Sequence, residues 1–178
     1  MNDGFKRKRV IFIAGVSGSG KTTVASTLAE ANGWRYLEAD DFHSAQNIKK
    51  MSSGVPLTDK DRWPWLKRLK GAISLGCLQD GTVIVACSAL KHKYRDFLSI
   101  EGGEYSVYWF LLIGSQQLIE TRIRSRVAHF MPAALLTSQL KALEPARQDE
   151  IALDASMPVK QLTEIILNRV SVCEVSPH

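Results

Sequence analysis

The residues with the clearest chemical potential form one run, from position 15 to position 22, that matches GxxxxGK(S/T) at every fixed position. Its glycines let backbone N–H groups turn inward around a phosphate, and a helix that follows would add a partial positive charge. Lys21 can reach the β- and γ-phosphates of ATP, and the Thr22 hydroxyl can ligate Mg²⁺. The candidate residues for binding ATP are Gly15, Val16, Ser17, Gly18, Ser19, Gly20, Lys21, Thr22 and Thr23. Lys21 is also a candidate catalytic residue.

Two adjacent carboxylates, Asp40 and Asp41, follow the second predicted strand. Asp40 could hold Mg²⁺ or its water, and it could accept the proton of an attacking hydroxyl. An Asx turn after the strand would explain the same residues without a catalytic role. The third predicted strand ends in Cys87 and Ser88, where many phosphate-loop proteins carry a metal-binding aspartate. Asp40 is therefore the best candidate, with Thr22, for a metal ligand.

Basic residues follow the third and fourth predicted strands. Lys91 and Arg95 are one helical turn apart and can point at the same anion, while Ser88 is either a substrate contact or only a helix cap. Arg122 and Arg126 share one helical face and could clamp the transferring phosphoryl group, neutralising its developing charge. We predict that Arg122 binds ATP and that Arg126 is catalytic, although a solvated surface helix would have the same spacing.

The elements that must position these residues alternate along the chain. Short apolar, β-branched runs predict strands at 10–14, 35–39, 82–86, 105–113 and 151–153. Helical spacing predicts helices at 21–31, 45–51, 64–78, 91–100, 116–126, 132–143 and 158–172, with Ser115 as a cap and Pro64 in a first turn. This alternation predicts a three-layer α/β fold, with a mostly parallel five-stranded sheet and helices on both faces. Ligands of such sheets gather outside the carboxyl ends of the strands.

Composition narrows the class of protein. The 178 residues suit one domain, and 45% hydrophobic with 23% charged residues is ordinary for a globular chain. The formal net charge of +5 has one dense basic run, at 6–9, which is too isolated to indicate nucleic-acid binding. Three cysteines without metal-ligand spacing argue against a disulfide framework or a zinc site. With no apolar leader and no membrane-length apolar stretch, we expect a cytoplasmic protein without a membrane partner.

Four segments of the chain carry a resemblance to a known family. They are DDFHSAQNIKKM at 40–51, GVPLTDKDRWPWL at 54–66, CSALK with YRD at 87–96, and HFM with SQ and LE between 129 and 144. Together they resemble the small gluconokinases of the P-loop kinase superfamily, over about residues 10–150. The resemblance implies ATP- and Mg²⁺-dependent phosphorylation of D-gluconate at its 6-hydroxyl, a homodimer, and a role in carbohydrate acid catabolism.

The resemblance also implies where the substrate binds. Its candidate substrate-binding residues are Asp40, His43, Arg62, Ser88, Lys91, Arg95 and His129. Arg62, Lys91 and Arg95 are each candidates for binding the gluconate carboxylate, because a charge-assisted bond would orient the acid. We expect a substrate-binding insertion at about 40–65 and a lid at about 122–140, within one P-loop kinase domain.

Three other functions compete with this interpretation. A kinase for shikimate or a nucleotide would share the phosphate loop but not the segment at 54–66. A nucleotide-hydrolysing switch would need an N-K-x-D base-recognition motif, and the sequence has none. A nucleic-acid-binding module would need a basic stripe with interleaved aromatic residues, which is also missing. A dinucleotide-binding loop is excluded because Lys21 and Thr22 stand where its third glycine would be.

Overall fold

In the computed structural model, which describes residues 7–99, 102, 104–125 and 133–172, five strands form one parallel sheet. The strands are β1 (Lys8–Ala14), β2 (Arg35–Glu38), β3 (Thr82–Cys87), β4 (Tyr105–Ile113) and β5 (Ile151–Asp154). Their order across the sheet is β2-β3-β1-β4-β5, and all four neighbouring pairs are parallel. The predicted five-stranded parallel sheet is confirmed.

Seven α-helices connect or follow these strands in the described part of the chain. They are α1 (Lys21–Asn32), α2 (Ala45–Ser52), α3 (Asp59–Asp80), α4 (His92–Leu98), α5 (Gln116–Arg124), α6 (Ala133–Ala142) and α7 (Val159–Val172). A single 3₁₀ turn, Ala39–Phe42, links β2 to α2. The predicted cap of α5 is confirmed, because the Ser115 side chain accepts a hydrogen bond from the Leu118 N–H. No helix of the described residues is both long and apolar enough to cross a membrane.

The start of α3 differs from the prediction. The helix begins at Asp59, so Pro64 is its sixth residue and not part of its first turn. Thr58 caps the helix through a reciprocal capping box with Asp61, which satisfies two backbone N–H groups that the helix end would leave unpaired. Pro64 lacks an N–H donor inside the helix. The capping box and the burial of Trp65, the residue after Pro64, offset that loss.

Two hydrophobic clusters cover the two faces of the sheet. Along β1, Val10 and Phe12 pack against α3 and α4, while Ile11 and Ile13 pack against α1 and α7. This alternation follows from the period of two in a strand, which sends successive side chains to opposite faces. All four side chains are fully buried, so β1 is the centre of the molecule. The three-layer arrangement is therefore confirmed.

The topology decides where the chemistry can occur. Because β1 lies between β3 and β4, and β2 pairs with β3, the carboxyl ends of these strands meet at one edge. The loop at 15–20 leaves β1, Asp40 follows β2, and Ser88 follows β3. Three segments that are far apart in sequence are thereby brought to one edge of the sheet.

Candidate active site

The phosphate loop has a backbone shape that favours glycine at three positions. Gly15 has φ +144°, Gly18 has φ +83° and Gly20 has φ +101°, all in the region that side-chain-bearing residues rarely adopt. A Cβ on Gly15 would lie 2.7 Å from the Leu112 carbonyl oxygen, and one on Gly18 would lie 2.8 Å from Ile123. Position 18 is free in the sequence pattern, but in this chain the packing of α5 against the loop also requires glycine there.

Two donors of the loop are hydrogen-bonded to the chain itself. The Lys21 ammonium donates to the Val16 carbonyl oxygen at 2.9 Å, and the Ser17 N–H donates to Gln139 Oε1 at 2.7 Å. Both groups also line the main cavity. A bound phosphate would compete with Val16 and Gln139 for these donors. Arg122 approaches the same loop from α5, where it donates to the Ser19 carbonyl oxygen at 3.2 Å.

A carboxylate that the sequence interpretation missed lies beside Thr22. Glu38 is the last residue of β2, and its Oε2 accepts from the Thr22 hydroxyl at 2.8 Å and from the Tyr36 hydroxyl at 2.6 Å. Burial, followed by the hydrogen bond to Glu38, raises the pKa of Tyr36 above its usual value, so the phenol stays a donor. The signal was available, since Glu38 ends a strand two residues before Asp40.

These groups fit a magnesium ion that is held largely by phosphate and water. Mg²⁺ usually takes one or two carboxylates and keeps several waters or phosphate oxygens. Thr22 and Glu38 are in contact, and the Asp40 side chain is 71% exposed at the cavity. Among the described residues, no three histidine, cysteine or carboxylate side chains gather into a metal cage of their own. The donor set matches an ion that arrives with a nucleotide.

The main cavity joins the phosphate loop to the acceptor side. Its volume is about 370 Å³, within the range of small-molecule sites. One wall comes from 48–57 in and after α2, one from the phosphate loop, and one from α5 and α6. The lining residues are Ser17, Lys21, Asp40, His43, Ile48, Met51, Ser52, Pro56, Leu57, Arg62, Trp65, Ser88, Leu90, Ile123, Leu135, Ser138 and Gln139.

Asp40 and His43 lie next to each other at this cavity. His43 Nε2 is 4.0 Å from Asp40 Oδ1, and the His43 ring stacks on Trp65 with centroids 4.4 Å apart. Burial, and then the charges of Arg62 and Arg68, lower the pKa of His43 to about 4. At neutral pH the His43 imidazole is therefore neutral, so its contact with Asp40 is not an ion pair.

Of the three candidates for binding the gluconate carboxylate, Arg62 is the one that lines the cavity. It lines the cavity from α3, and its guanidinium lies 5.6 Å from the centroid of the Tyr94 ring. Within the described ranges, the ion pairs of neighbouring cations go to other carboxylates and none involves Arg62. Its charge can therefore receive the carboxylate of an acid.

Lys91 is placed beside the cavity and not in its lining. Its ammonium is 3.2 Å from Asp59 Oδ1, and the same carboxylate accepts from Lys93 and Tyr94. Hydrogen bonds from Lys93 and Tyr94 hold the pKa of Asp59 well below its usual value. Lys91 thus belongs to a network that already contains its own carboxylate.

Arg95 is not where the sequence predicted it to act. Its side chain is 1% exposed, and Nε is 3.0 Å from Glu150 Oε1. A second nitrogen donates to the carbonyl oxygens of Glu144 and Pro145, both at 3.2 Å. The substrate-binding role of Arg95 stays a prediction that this geometry does not favour, because its guanidinium is enclosed and joins α4 to the segment before β5.

Of the remaining predicted residues, two lie in the described part of the chain and two lie outside it. Ser88 lines the cavity, and Thr23 is exposed in the first turn of α1. Arg126 and His129 lie outside the described residues, as does part of the predicted lid. Gln139, which the sequence places only within a resembling segment, contacts Ser17 across 122 positions.

Comparison with known proteins agrees with this geometry. A family model described as an AAA domain matches residues 10–146. The thermosensitive gluconokinase of Escherichia coli (strain K12) is 41% identical over 155 residues, covering 85% of this chain and 82% of that protein. A sugar kinase from Janibacter sp. HTCC2649 superposes with a TM-score of 0.85 at 42% identity, covering 96% of this chain and 99% of that one. A gluconokinase from Sinorhizobium meliloti 1021 superposes with a TM-score of 0.80 at 36% identity, covering 95% and 98%.

Proposed function

Because this chain belongs to the gluconokinase family, we propose that it transfers the γ-phosphoryl group of ATP to the 6-hydroxyl of D-gluconate. The products are 6-phosphogluconate and ADP. The observation that carries the proposal is the single cavity that Lys21, Asp40 and Arg62 share. It offers a phosphate-binding lysine, a proton acceptor and a cation for the acid in one space.

The chemistry needs one proton transfer and one phosphoryl transfer. Asp40 accepts the proton of the 6-hydroxyl as that oxygen forms its bond to the γ-phosphorus, and the bond from this phosphorus to the ADP oxygen breaks. Lys21 neutralises charge that develops on the transferring group. Arg122, which already contacts the phosphate loop, would assist from α5. Arg126 is proposed for the same task from the resemblance.

Magnesium is part of this proposal. A bound Mg²⁺ would supply positive charge that offsets the charge of the phosphates. Thr22 and Asp40 are the ligands expected from the sequence, and the contact between Thr22 and Glu38 supports adding Glu38. No dedicated metal cage is required, because phosphate and water complete the shell.

The acceptor is proposed to lie between Arg62 and Asp40. Gluconate carries its carboxylate at one end and the 6-hydroxyl at the other, so a cation must bind one end while Asp40 meets the other. Arg62 is the best candidate because it lines the cavity without a carboxylate partner of its own in the described part. Ser88 is proposed to bind an intermediate hydroxyl and His43 to bind the acceptor end of the substrate beside Asp40. His129 is proposed from the resemblance.

The insertion, the lid and the oligomeric state are proposed from the family resemblance. We propose that residues 40–65 form the substrate-binding insertion and that 122–140 form a lid that closes over ATP. We also propose a cytoplasmic homodimer acting in carbohydrate acid catabolism, without nucleic-acid or membrane partners. Light scattering coupled to gel filtration would test the dimer.

A coupled ADP-release assay tests the substrate directly. Gluconate should stimulate ADP release strongly, whereas glucose, which lacks the carboxylate, should not. Shikimate and nucleoside monophosphates cover the nearest rival kinases. Equal activity on glucose and gluconate would reject a site that recognises a carboxylate, and activity on a nucleoside monophosphate would favour a nucleotide kinase.

The Arg62→Ala variant tests the carboxylate contact. It should raise KM for gluconate by about 10-fold or more, as expected for losing a charge-assisted bond, with little change in KM for ATP. Lys67→Ala, an exposed cation of the same helix outside the cavity, is the matched control and should change neither constant. A rise in KM for ATP instead would assign Arg62 to the nucleotide.

A further inference from the structure

Asn47 connects the acceptor side of the cavity to α3. This residue of α2 is 5% exposed, and its side-chain Nδ2 donates to the Asp61 carbonyl oxygen at 2.9 Å. The same nitrogen lies 3.4 Å from His43 Nδ1. A backbone carbonyl oxygen can only accept a hydrogen bond, so the amide group that faces Asp61 must be the NH₂ group. The backbone carbonyl of Asp61 therefore fixes the orientation of the Asn47 amide.

The orientation of Asn47 determines where the proton of His43 lies. The amide has two N–H donors, and with one directed at Asp61 the other is available to His43 Nδ1. An acceptor at Nδ1 places the ring proton on Nε2, because a neutral imidazole carries one proton. A protonated imidazole would place its Nδ1–H group against the side-chain N–H of Asn47. The stack on Trp65 holds the ring in this plane.

The Nε2–H group of His43 then forms a matched pair with Asp40. The 4.0 Å between His43 Nε2 and Asp40 Oδ1 is too long for a direct hydrogen bond. It does allow one hydroxyl oxygen to bond both groups at ordinary lengths of about 2.7–3.0 Å. That hydroxyl would accept from His43 and donate its proton to Asp40. With the proton on Nδ1 instead, both groups would be acceptors competing for one hydrogen.

We propose that Asn47 is a positioning residue that holds His43 in its Nε2–H tautomer, so that His43 and Asp40 together orient one substrate hydroxyl with its proton toward Asp40. This inference rests on the proposed kinase function, in which that hydroxyl is the phosphoryl acceptor. Asn47 acts through His43 on the acceptor and not on ATP. The sequence alone offers no such role, because it depends on the carbonyl of a residue in another helix.

The tautomer can be measured without activity. In protein labelled with ¹⁵N-histidine, the nitrogen shifts distinguish a ring nitrogen that carries a proton from one that does not. The chain has four histidines, and His43→Gln identifies the signals of His43 by deleting them. We expect protonation at Nε2 in the parent protein and a shift toward Nδ1 in Asn47→Asp, whose carboxylate accepts where the amide donated. Protonation at Nδ1 in the parent would overturn the inference.

A double-mutant cycle then separates positioning from simple packing. Asn47→Asp should lower kcat with gluconate by about 10- to 100-fold, the effect of a misplaced reacting group, and change KM for ATP by less than about twofold. In the His43→Gln background, where the side-chain amide supplies a donor that has no tautomers, the same change should have little further effect on kcat. Equal losses in both backgrounds would mean that Asn47 only ties α2 to α3, which overturns the inference.

Two further outcomes are informative. If Asn47→Asp does not fold, Asn47→Ala, which removes the donor without adding a charge, takes its place in the same cycle. If the parent enzyme carries the Nε2–H tautomer but does not phosphorylate gluconate, the proposed substrate fails while the link between Asn47 and His43 stands. The inference and the proposed function can thus fail separately.

Discussion

The phosphate loop and the acceptor segment at 40–65 are organised in opposite ways. In the loop, Lys21 and Ser17 donate to Val16 and Gln139, acceptors that a phosphate would have to displace. In the acceptor segment, hydrogen bonds within the chain hold the elements that carry the site residues, and we expect these bonds to persist when a substrate binds. The Trp65 indole donates to the Ala39 carbonyl at 2.7 Å, for example, and that buried bond anchors the first residue of the 3₁₀ turn that contains Asp40.

This difference separates two ways of preparing a site. Donors of the loop must exchange one hydrogen bond for another, so each exchange returns only a small net free energy, about 0.5–1.5 kcal/mol per bond. The acceptor segment is ordered by folding itself, through helix caps and buried bonds, so less ordering remains when the acid binds. Substitutions in the two regions should therefore change different constants.

The largest effect is expected at the junction of the two regions. Asp40→Asn keeps the shape of the side chain but removes its basicity, so kcat should fall by about 10²- to 10⁴-fold, the usual contribution of a general base. KM for ATP should change much less. If kcat were retained while ATP binding weakened, Asp40 would belong to the phosphate side and the boundary between the regions would move.

The second-largest effect is expected for Lys21→Ala. Its charge acts mainly in the transition state, and removing one such donor typically lowers turnover by about 100- to 1,000-fold. The far-ultraviolet circular dichroism should be unchanged, because Lys21 donates to Val16 within the loop and belongs to neither hydrophobic cluster of the sheet. Turnover within threefold of the parent would show that the loop binds phosphate without this residue.

Thr58→Ala tests the comparison through the stability of the protein and through KM for gluconate. Losing an N-cap typically lowers the free energy of unfolding by about 0.5–2 kcal/mol, measurable by urea titration. The matched control is Ser115→Ala, which removes the cap of α5 outside the acceptor segment. Only Thr58→Ala should also raise KM for gluconate, because its capping box sets the start of α3 beside Arg62. Equal KM values in the two variants would contradict a preorganised acceptor side.

Gln139→Ala should have the smallest effect, and in the opposite direction. Removing the acceptor at 2.7 Å leaves the Ser17 N–H to the nucleotide alone, so ADP should bind about 2- to 10-fold more tightly, as read by calorimetry. Weaker ADP binding in this variant would mean that Gln139 contacts the nucleotide instead of competing with it.

The sequence predicted the sheet, its helices and the loop because those follow from local signals. Apolar runs alternate with helical spacing, and the loop motif is contiguous. Gln139 was not predicted as part of the loop because nothing in the sequence pairs positions 17 and 139. Glu38 was not predicted because the metal-binding aspartate is expected at the end of β3, whereas Glu38 ends the neighbouring strand β2.

Arg95 shows how a sound spacing rule can fail. Lys91 and Arg95 are four residues apart and would share a face if both were helical. Lys91 is instead the N-cap of α4, with extended backbone angles of −104° and 146°, so the rule does not apply to it. Position 95 then faces inward, where Glu150 compensates its charge. Such a pair is not visible in sequence, because its partner lies beyond β4, α5 and α6.

The strand order has a consequence for synthesis of the protein. β1 leaves the ribosome first, yet its neighbours in the sheet are β3 and β4, so α1, β2, α2 and α3 must all be made before β1 can pair. Sheets built from such distant segments form slowly, and an unpaired apolar strand is prone to aggregation. The arrangement that gathers the loop, Asp40 and Ser88 at one edge thus leaves the strand that carries the loop exposed longest. Sequence changes in β1 should accordingly reduce the yield of folded protein before they reduce its activity.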